Sequence, residues 1–459
     1  MRRSLAWIAA WSLPAACGGS GTGVEPRNLL LISIDTLRAD HVGAYGYHRD
    51  TTPTIDALAA ESVVFERCIA PIPRTMPGHA SLLSAVYPYE HGIVRNIRAR
   101  DERHVTFVPT SGLRSIAQVL GDQGYRTGGF VSATPVKRVT GLDVGFEGWT
   151  EPAGDRRPAA ETNADAIEWL AGLDDGRPFF LFLHYYDPHG PYRDVDFVPP
   201  EYLERYRADE ELESWMAERA FPEIVDHKGD IDPRILLDVY DGCVRYADDR
   251  LAEILDAVRK TGRWDSTVVV LLSDHGQGLG QHDFVGHAVV WGEQLHVPLM
   301  IRVPGRAPER IGRTLSIVDV VPTVLPFLPG VDASDFLADC QGRDALAEVL
   351  AGGEELAVTS MSIHEPIFHS LTTDRWKYVH HSLEEVELYD LRADPHELRN
   401  VAAENPGVVA TLQDRLMISL AEQRKRGDRH RAEQGNVSVQ VDPAIFRELE
   451  ALGYGGDDE

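Results

Sequence analysis

The chain of 459 residues is long enough for two or three structural units of ordinary size, and its 43% apolar and 25% charged content is typical of a globular protein. Its 45 basic and 72 acidic side chains leave a net charge of −27, which repels nucleic acid and anionic membrane surfaces, so we expect no nucleic-acid partner. An anionic substrate would need a site made positive locally by metal ions, helix ends and a few basic side chains.

Residues 1–26 have the pattern of an export signal followed by a short tether. Arg2 and Arg3 precede an apolar run from Leu5 to Ala16, which is too short to span a bilayer. The segment LPAACG resembles a bacterial lipoprotein cleavage box in which Cys17 becomes the lipidated first residue, although Pro14 stands where an aliphatic residue is usual. The sequence therefore predicts an exported protein, either periplasmic or anchored to the membrane as a lipoprotein, with a plainly cleaved signal peptide as the alternative.

Three continuous apolar runs are each followed by acidic or histidine side chains. They are Leu29–Ile34 before Asp35, Phe179–Leu183 before His184, Asp187 and His189, and Thr267–Leu272 before Asp274 and His275. Amphipathic patterns over 54–62, 113–124, 162–173 and 236–260 predict helices between these strands, and hence an α/β fold with a large, mostly parallel sheet covered on both faces. Ligands of such sheets bind beyond the carboxyl ends of the strands, so these side chains should meet at one rim and form a metal site.

The stretch RTMPGHASLLSAVYPYEHG, residues 74–92, places a hydroxyl at the mouth of a helix. Pro77 suits the first helical position, the apolar residues after it give the helix a buried face, and Pro88 ends it. The helix N-terminus favours an alkoxide on Thr75 and any anionic group brought to it. The alternative for Thr75 is an ordinary helix cap.

The remaining segments complete the predicted organisation. Residues 195–233, rich in charge, aromatics and proline, are interpreted as an insertion that shapes substrate access or as a solvated loop. His287 follows the third metal-binding segment, 297–303 is predicted as another strand, and 316–327 as helical. We therefore divide the chain into a signal and tether (1–26), a catalytic domain (27–350), a small C-terminal antiparallel-sheet subdomain ending in a helix (351–425), and a loose polar tail with one short helix at 443–452 (426–459).

Taken together, the motifs resemble the sulfatase family of the alkaline phosphatase superfamily. The resemblance is carried in order by ISIDTLRADHVGAYGY, ASLLSAVYPYEHG, HYYDPHGPY, SDHGQGLGQH, HVPLMIRVPG and ELYDLRADPHELRN. It implies the family's α/β fold with a small C-terminal sheet domain, and hydrolysis of phosphoric or sulfuric esters.

The chain departs from the family at the position that decides the chemistry. Sulfatases carry a Cys or Ser there that is oxidised to formylglycine, whereas matching the signature's proline with Pro77 puts Thr75 at this position, and a threonine cannot become formylglycine. The family's Gly-Lys-Trp-His segment is also missing, with Ser132 and Thr134 where the Lys and His would fall. Threonine is what the phosphodiesterase and phosphoethanolamine-transferase branches of the superfamily use, as a metal-bound nucleophile that attacks phosphorus.

We therefore expect an exported, metal-dependent hydrolase that cleaves small-molecule, glycan or lipid esters of phosphate, phosphonate or sulfate. The predicted catalytic residues are Thr75, His189 and His287, the substrate-binding residues are His79 and His184, and the metal ligands are Asp35, Asp274, His275 and Asp187. One or two divalent ions, Zn²⁺, Mn²⁺ or Ca²⁺, are expected, and the mixed oxygen and nitrogen donors suit Zn²⁺ or Mn²⁺ better than Ca²⁺. The alternatives are a sulfuric ester hydrolase that works without formylglycine, and an inactive relative that binds glycans or lipid head groups.

Overall fold

The structure is a computed structural model that describes residues 27–97, 106–110, 112–192, 195–226, 230–352, 355–362, 367–382 and 385–434. The predicted export segment 1–26 and the predicted short helix at 443–452 lie outside these residues. The strands of the described chain are β1 Asn28–Ile34, β2 Val63–Ile69, β3 Arg126–Phe130, β4 Gly148–Thr150, β5 Phe179–Tyr185, β6 Val225–Asp226, β7 Asp230–Ile231, β8 Thr267–Leu272, β9 Gly278–Leu279, β10 Val285–Gly286, β11 His296–Arg302, β12 Glu309–Ser316, β13 Val358–Ser362, β14 Phe368–Thr372, β15 Trp376–His381 and β16 Val386–Asp390. The α-helices are α1 Pro53–Ala59, α2 Thr75–Ser84, α3 Pro88–His91, α4 Ile116–Asp122, α5 Ala159–Ala171, α6 Pro200–Leu203, α7 Glu210–Glu218, α8 Pro233–Lys260, α9 Gly292–Leu295, α10 Val320–Val324, α11 Ser334–Asp339, α12 Ala345–Leu350 and α13 Pro406–Gln434.

The central sheet has eight strands in the order β12-β2-β11-β8-β1-β5-β3-β4. Among the described strands, every neighbouring pair is parallel except the two pairs that involve β11, so β11 runs opposite to the other seven. Strand β1 lies between β5 and β8, with Leu31 opposite Phe182 on one side and Val270 on the other. The predicted large, mostly parallel sheet is confirmed.

Helices cover both faces of the sheet, as predicted. One face packs against α2, α4 and α10 through residues such as Leu82, Val119 and Val321, and the other packs against α1, α5 and α8 through residues such as Leu170 and Leu251. Successive side chains of β1 alternate between the two cores, and all seven of its residues are buried. Each fully buried aliphatic side chain contributes about 1.5–3 kcal/mol, so these two layers are the main source of stability.

The C-terminal subdomain is an antiparallel sheet in the order β13-β14-β15-β16, with α13 packed across it through Leu412, Leu416 and Leu420. The prediction of a loose tail from residue 426 is wrong for residues 426–434, because α13 continues to Gln434. Its last turns are held by Arg426 and His430, which lie 2.7 and 3.1 Å from the carboxylate of the buried Glu90 on α3. A long-range partner therefore stabilises a segment that looks merely polar in sequence.

Residues 195–226 and 230–233 are not a bare loop. They contain α6, α7 and the short pair β6–β7, and Leu212, Trp215 and Met216 of α7 join the core beneath α8. No described helix combines the length and the apolar character needed to cross a membrane.

Candidate active site

Three of the predicted metal ligands meet at the carboxyl end of the sheet. Ligand atoms of Asp35, Asp274 and His275 all lie within 4.8 Å of one another, and all three residues are buried. Asp35 directly follows β1, and Asp274 and His275 follow β8, its neighbour in the sheet. Thr36 has a φ of 56°, which is costly for a β-branched residue, and its backbone N–H lies 3.4 Å from Asp274 Oδ1. The turn after β1 therefore brings the Thr36 backbone N–H close to the Asp274 carboxylate.

The donors of this group fit a divalent cation. Asp35 Oδ1 and Asp274 Oδ2 are buried and accept no hydrogen bond within the described chain, although a buried carboxylate oxygen is normally paired. His275 donates from Nδ1 to the Gly276 carbonyl (2.9 Å), which leaves the Nε2 lone pair facing Asp274 Oδ2 at 3.3 Å. Two carboxylates and one imidazole are ligands that Zn²⁺ and Mn²⁺ accept in proteins.

The pKa values of Asp35, Asp274 and His275 also favour a bound cation. Burial raises the pKa of Asp35 well above its ordinary value, and burial together with the nearby Asp35 raises the pKa of Asp274. Burial lowers the pKa of His275 well below its ordinary value. Because two adjacent carboxylates are unfavourable in a buried site, a cation would relieve their repulsion and keep both ionised.

Thr75 lies beside this group at the first residue of α2. Its side chain is fully buried, and Oγ1 lies 3.4 Å from His275 Nε2. The helix begins two residues before the predicted first position at Pro77, and the N-cap residue is Arg74, whose side chain makes no capping bond. Thr75 is therefore not the cap of α2, and its hydroxyl faces the predicted metal ligands.

His189 and His287 form a pair next to His275. Their Nε2 atoms are 3.0 Å apart, and the rings of His275 and His287 are 4.5 Å apart. Each donates from Nδ1 to a backbone carbonyl, His189 to Gly190 (2.7 Å) and His287 to Pro73 (3.0 Å). Both Nε2 atoms therefore present lone pairs to each other, an arrangement that needs a shared proton or a bound cation. Burial lowers the pKa of His189 to about 3 and lowers that of His287 well below its ordinary value.

His184 lies behind Asp35 rather than in open space. It is fully buried, accepts from the Ser132 backbone N–H at Nδ1 (3.3 Å), and donates from Nε2 to Asp35 Oδ2 (3.3 Å). Burial lowers its pKa to about 3. This geometry opposes the predicted substrate contact and places His184 to orient Asp35, one of the predicted metal ligands.

His79 also lies behind the site. It donates from Nδ1 to the Thr75 carbonyl (2.8 Å) and accepts from the Ser33 hydroxyl at Nε2 (2.9 Å), so both ring nitrogens are used within the protein. With no exposed surface and no free donor, His79 is placed to fix the first turn of α2 rather than to bind substrate, contrary to the sequence-based expectation.

Asp187 lies apart from the other predicted ligands. It is not among the described residues whose ligand atoms come together, and its Oδ1 accepts the backbone N–H of Ala159 (3.0 Å) at the start of α5. Burial raises its pKa to about 7, although the Ala159 N–H opposes the shift. The structure thus places Asp187 as a helix-end acceptor and does not bring it to the metal ligands.

We expect Asp187→Asn to leave the metal content of the protein unchanged and to alter the pH dependence of its stability. The folded pKa of about 7 exceeds the value of about 3.9 for an unfolded Asp, so the folded state binds more protons and the parent loses stability between about pH 4 and 7. The variant lacks this loss. The unfolding free energy of the variant minus that of the parent should therefore increase by up to about 4 kcal/mol from pH 4 to pH 8. Lower metal content and lower stability at pH 8 would instead support Asp187 as a ligand.

Two residues of the site escaped sequence reasoning. Asn96 is buried and its Oδ1 accepts the backbone N–H of Met76 (2.9 Å), which fixes the amide orientation, while its Nδ2 is buried without a partner in the described chain. Arg74, which is also buried, lowers the pKa of His275, His189 and His287 by its positive charge in addition to the effect of burial. Arg74 directly precedes Thr75 in the chain, whereas Asn96 lies far from it in sequence and carried no signal.

The comparisons with known proteins agree with this architecture. The sulfatase family model matches residues 27–331, and the model described as N-sulphoglucosamine sulphohydrolase, C-terminal, matches residues 280–426. The chain is 26% identical to the multifunctional alkaline phosphatase superfamily protein PehA of Trinickia caryophylli, over 88% of this chain and 96% of that protein. It is 24% identical to an arylsulfatase of Clostridium perfringens (strain 13 / Type A), over 82% of this chain and 90% of that one.

A solved structure shares the fold. The phosphonate monoester hydrolase of Agrobacterium radiobacter superimposes with a TM-score of 0.66 at 22% identity, covering 86% of this chain and 96% of that one. At this identity the likeness establishes the fold alone.

Proposed function

Because this chain belongs to the sulfatase family of ester hydrolases, we propose that it is an exported, metal-dependent hydrolase in which unmodified Thr75 attacks the phosphorus or sulfur of an ester. The observation that carries the proposal is the position of Thr75 Oγ1, 3.4 Å from His275 Nε2 at the group formed with Asp35 and Asp274. A divalent cation bound by these three residues would lower the pKa of the Thr75 hydroxyl and polarise the ester.

The chain's own residues supply the remaining steps. The N-terminus of α2 favours negative charge on Thr75 and on the non-bridging oxygens of the ester. The buried Nδ2 of Asn96 offers a donor with no partner of its own to one of those oxygens. The paired Nε2 atoms of His189 and His287 would hold the proton that passes to the oxygen of the leaving group, or a second cation in its place.

We propose phosphate and phosphonate esters as the preferred substrates, because a threonine at this position resembles the phosphorus-cleaving branches of the superfamily. A formylglycine hydrate releases sulfate through its hemiacetal, whereas a sulfo-threonine ester has no such route and must be attacked directly by water. The first alternative, a sulfuric ester hydrolase without formylglycine, therefore needs water placed for attack on the sulfo-enzyme. The second alternative, an inactive binder of glycans or lipid head groups, leaves unexplained why the two buried carboxylates face each other beside a buried hydroxyl.

A panel of matched esters tests the proposal. The purified protein would be dialysed against chelator, reloaded with Zn²⁺, Mn²⁺, Mg²⁺ or Ca²⁺, and assayed on the 4-nitrophenyl esters of phosphate, phenyl phosphonate and sulfate. We expect no turnover after chelation, recovery with Zn²⁺ or Mn²⁺, and faster cleavage of the phosphorus esters. Turnover that survives chelation would contradict metal dependence, and faster sulfate cleavage would favour the first alternative.

We further propose that the protein is exported and anchored through a lipid on Cys17, from the pattern LPAACG after a short apolar run. We expect Cys17→Ser to move the protein from the membrane fraction to the soluble fraction, because a covalent acyl chain supplies most of the membrane affinity. Fractionation by centrifugation with immunoblotting measures the shift. Cys68→Ser, which changes a buried cysteine of β2, is the matched control and should leave the distribution unchanged.

A further inference from the structure

A cavity lies between the catalytic domain and the C-terminal sheet. This junction cavity has a volume of about 210 Å³, space for roughly seven waters at about 30 Å³ each. Its walls come from the turn after β1, from β2, from Arg219 after α7, from α9 and from the C-terminal residues Lys377 and 395–397. None of Thr75, Asp35, Asp274 and His275 lines it, so it is separate from the candidate active site.

Most of the charge in the junction cavity is paired. The pairs are Arg38 with Asp40 at 2.8 Å, Lys377 with Glu397 at 2.6 Å, and His282 with Glu293 at 3.1 Å. Burial lowers the pKa of His282, but its bond to Glu293 outweighs this and raises the pKa above its ordinary value. Three acidic side chains of the wall are therefore already matched by three bases.

Two further guanidinium groups of the wall, those of Arg67 and Arg219, are less fully paired. Arg67 on β2 makes no ion pair with any described residue, and donates one hydrogen bond, from its guanidinium to the Asp374 carbonyl (2.9 Å). Arg219 lies 3.6 Å from Asp40, which Arg38 already holds, and 3.5 Å from the mostly exposed Glu218, and its Nε is buried without a hydrogen-bond partner in the described chain. Burial lowers the pKa of both groups, and the carboxylates near them offset only part of its effect. The wall therefore carries four Arg and Lys side chains against three Asp and Glu side chains, in a chain with a net charge of −27.

We propose that the junction cavity is a second ligand site, which binds a small oxyanion such as sulfate or phosphate between Arg67 and Arg219. Planar guanidinium groups recognise tetrahedral oxyanions through parallel N–H donors. The cavity volume admits such an ion with several waters, or the same group carried on a small organic residue. The assignment does not depend on which ester the active site cleaves.

The α9 wall of the junction cavity is hydrogen-bonded to the segments that follow His275 and His287, so binding in the cavity could affect the active site. The N–H groups of Gly276 and Gln277, just after His275, donate to the carbonyls of Gln294 (2.8 Å) and Glu293 (2.9 Å) in α9. Gln294 Oε1 accepts from the N–H groups of Ala288 and Val289, just after His287 (2.8 and 2.9 Å). Because α9 lines the cavity on its other side, an occupant would restrain the segment that positions His275 and His287.

Equilibrium dialysis with labelled sulfate and phosphate tests the proposal on the full-length, metal-loaded Thr75→Ala protein, with chloride keeping the ionic strength constant. We expect two bound oxyanions per chain, of which Arg67→Gln removes one by weakening its affinity at least tenfold. Arg219→Gln should also remove one bound oxyanion. It provides an independent test if Arg67→Gln destabilises the protein and lowers its unfolding midpoint. Arg310→Gln is the matched control, because Arg310 is half exposed, pairs with Glu66 and does not line the cavity.

Failure of this proposal is distinguishable from failure of the proposed function. If the active site binds no oxyanion, one bound ion remains and Arg67→Gln removes it. If Arg67→Gln and Arg219→Gln both give the isotherm of the parent, as the control Arg310→Gln should, the second site does not exist. Methyl phosphate and methyl sulfate distinguish a free oxyanion from one carried by an organic group. A site for the carried group should bind these esters as tightly as inorganic phosphate and sulfate, whereas a site for the free ion should bind them more weakly. Oxyanion binding should also slow amide exchange at Ala288 and Val289 in the Thr75→Ala protein but not in its Arg67→Gln derivative.

Discussion

Replacing Thr75 by Ala is expected to reduce turnover by at least about 10³-fold, whereas Thr75→Ser retains part of the activity, because serine keeps the attacking hydroxyl. Neither change touches a predicted metal ligand, so both variants should bind the parent's amount of metal. The side chain is fully buried at the first residue of α2, where the helix end and a cation at Asp35, Asp274 and His275 would act on the same oxygen.

A purely structural role for Thr75 gives a different result. Loss of a hydroxyl bond at a helix start costs about 1 kcal/mol and leaves turnover of the folded fraction intact. Thr323→Ala is the matched control, since Thr323 of α10 is equally buried and its hydroxyl donates to the carbonyl of Asp319, just before that helix (2.7 Å). Measured kcat, metal content and unfolding midpoint separate the two roles, and an Ala variant with near-parental kcat would exclude Thr75 as nucleophile.

The strands that position the site could be predicted because they are buried on both faces. β1, β5 and β8 appear in sequence as uninterrupted apolar runs. β3 could not be recognised, because its sequence RTGGF carries Gly128 and Gly129, which normally weaken a strand. In the fold a β carbon on Gly128 would lie 2.7 Å from the Trp169 ring and one on Gly129 would lie 2.3 Å from the Trp149 ring, so the glycines make room for the two indoles.

The site itself could be predicted only as far as topology decides it. Residues that directly follow parallel strands meet at one rim, so the convergence of Asp35, Asp274 and His275 needs no more than the strand assignments. No comparable rule predicts which partner each histidine ring nitrogen bonds to. His79 and His184 carry the same side chain as His189 and His287, and only tertiary contacts turn the first two inward.

Asn96→Asp is expected to lower turnover by about 10²–10³-fold while the protein stays folded. The carboxylate keeps an oxygen for the Met76 N–H, which Asn96 Oδ1 now accepts at 2.9 Å, and the N-terminus of α2 favours its charge. What is lost is the Nδ2 donor, which is buried without a partner beside the first turn of α2 and is therefore available to an ester oxygen.

Asn96→Ala separates the donor from the acceptor. It removes both, so it should lower the unfolding midpoint as well as kcat, whereas Asn96→Asp should lower kcat with an unfolding midpoint close to that of the parent. If the amide served only to hold α2, activity would follow stability, and the Asp variant would turn over substrate at nearly the parental rate. Measuring kcat and the unfolding midpoint for both variants at equal metal loading therefore tests whether Asn96 acts only on the helix, because a stable variant without turnover excludes a purely structural role.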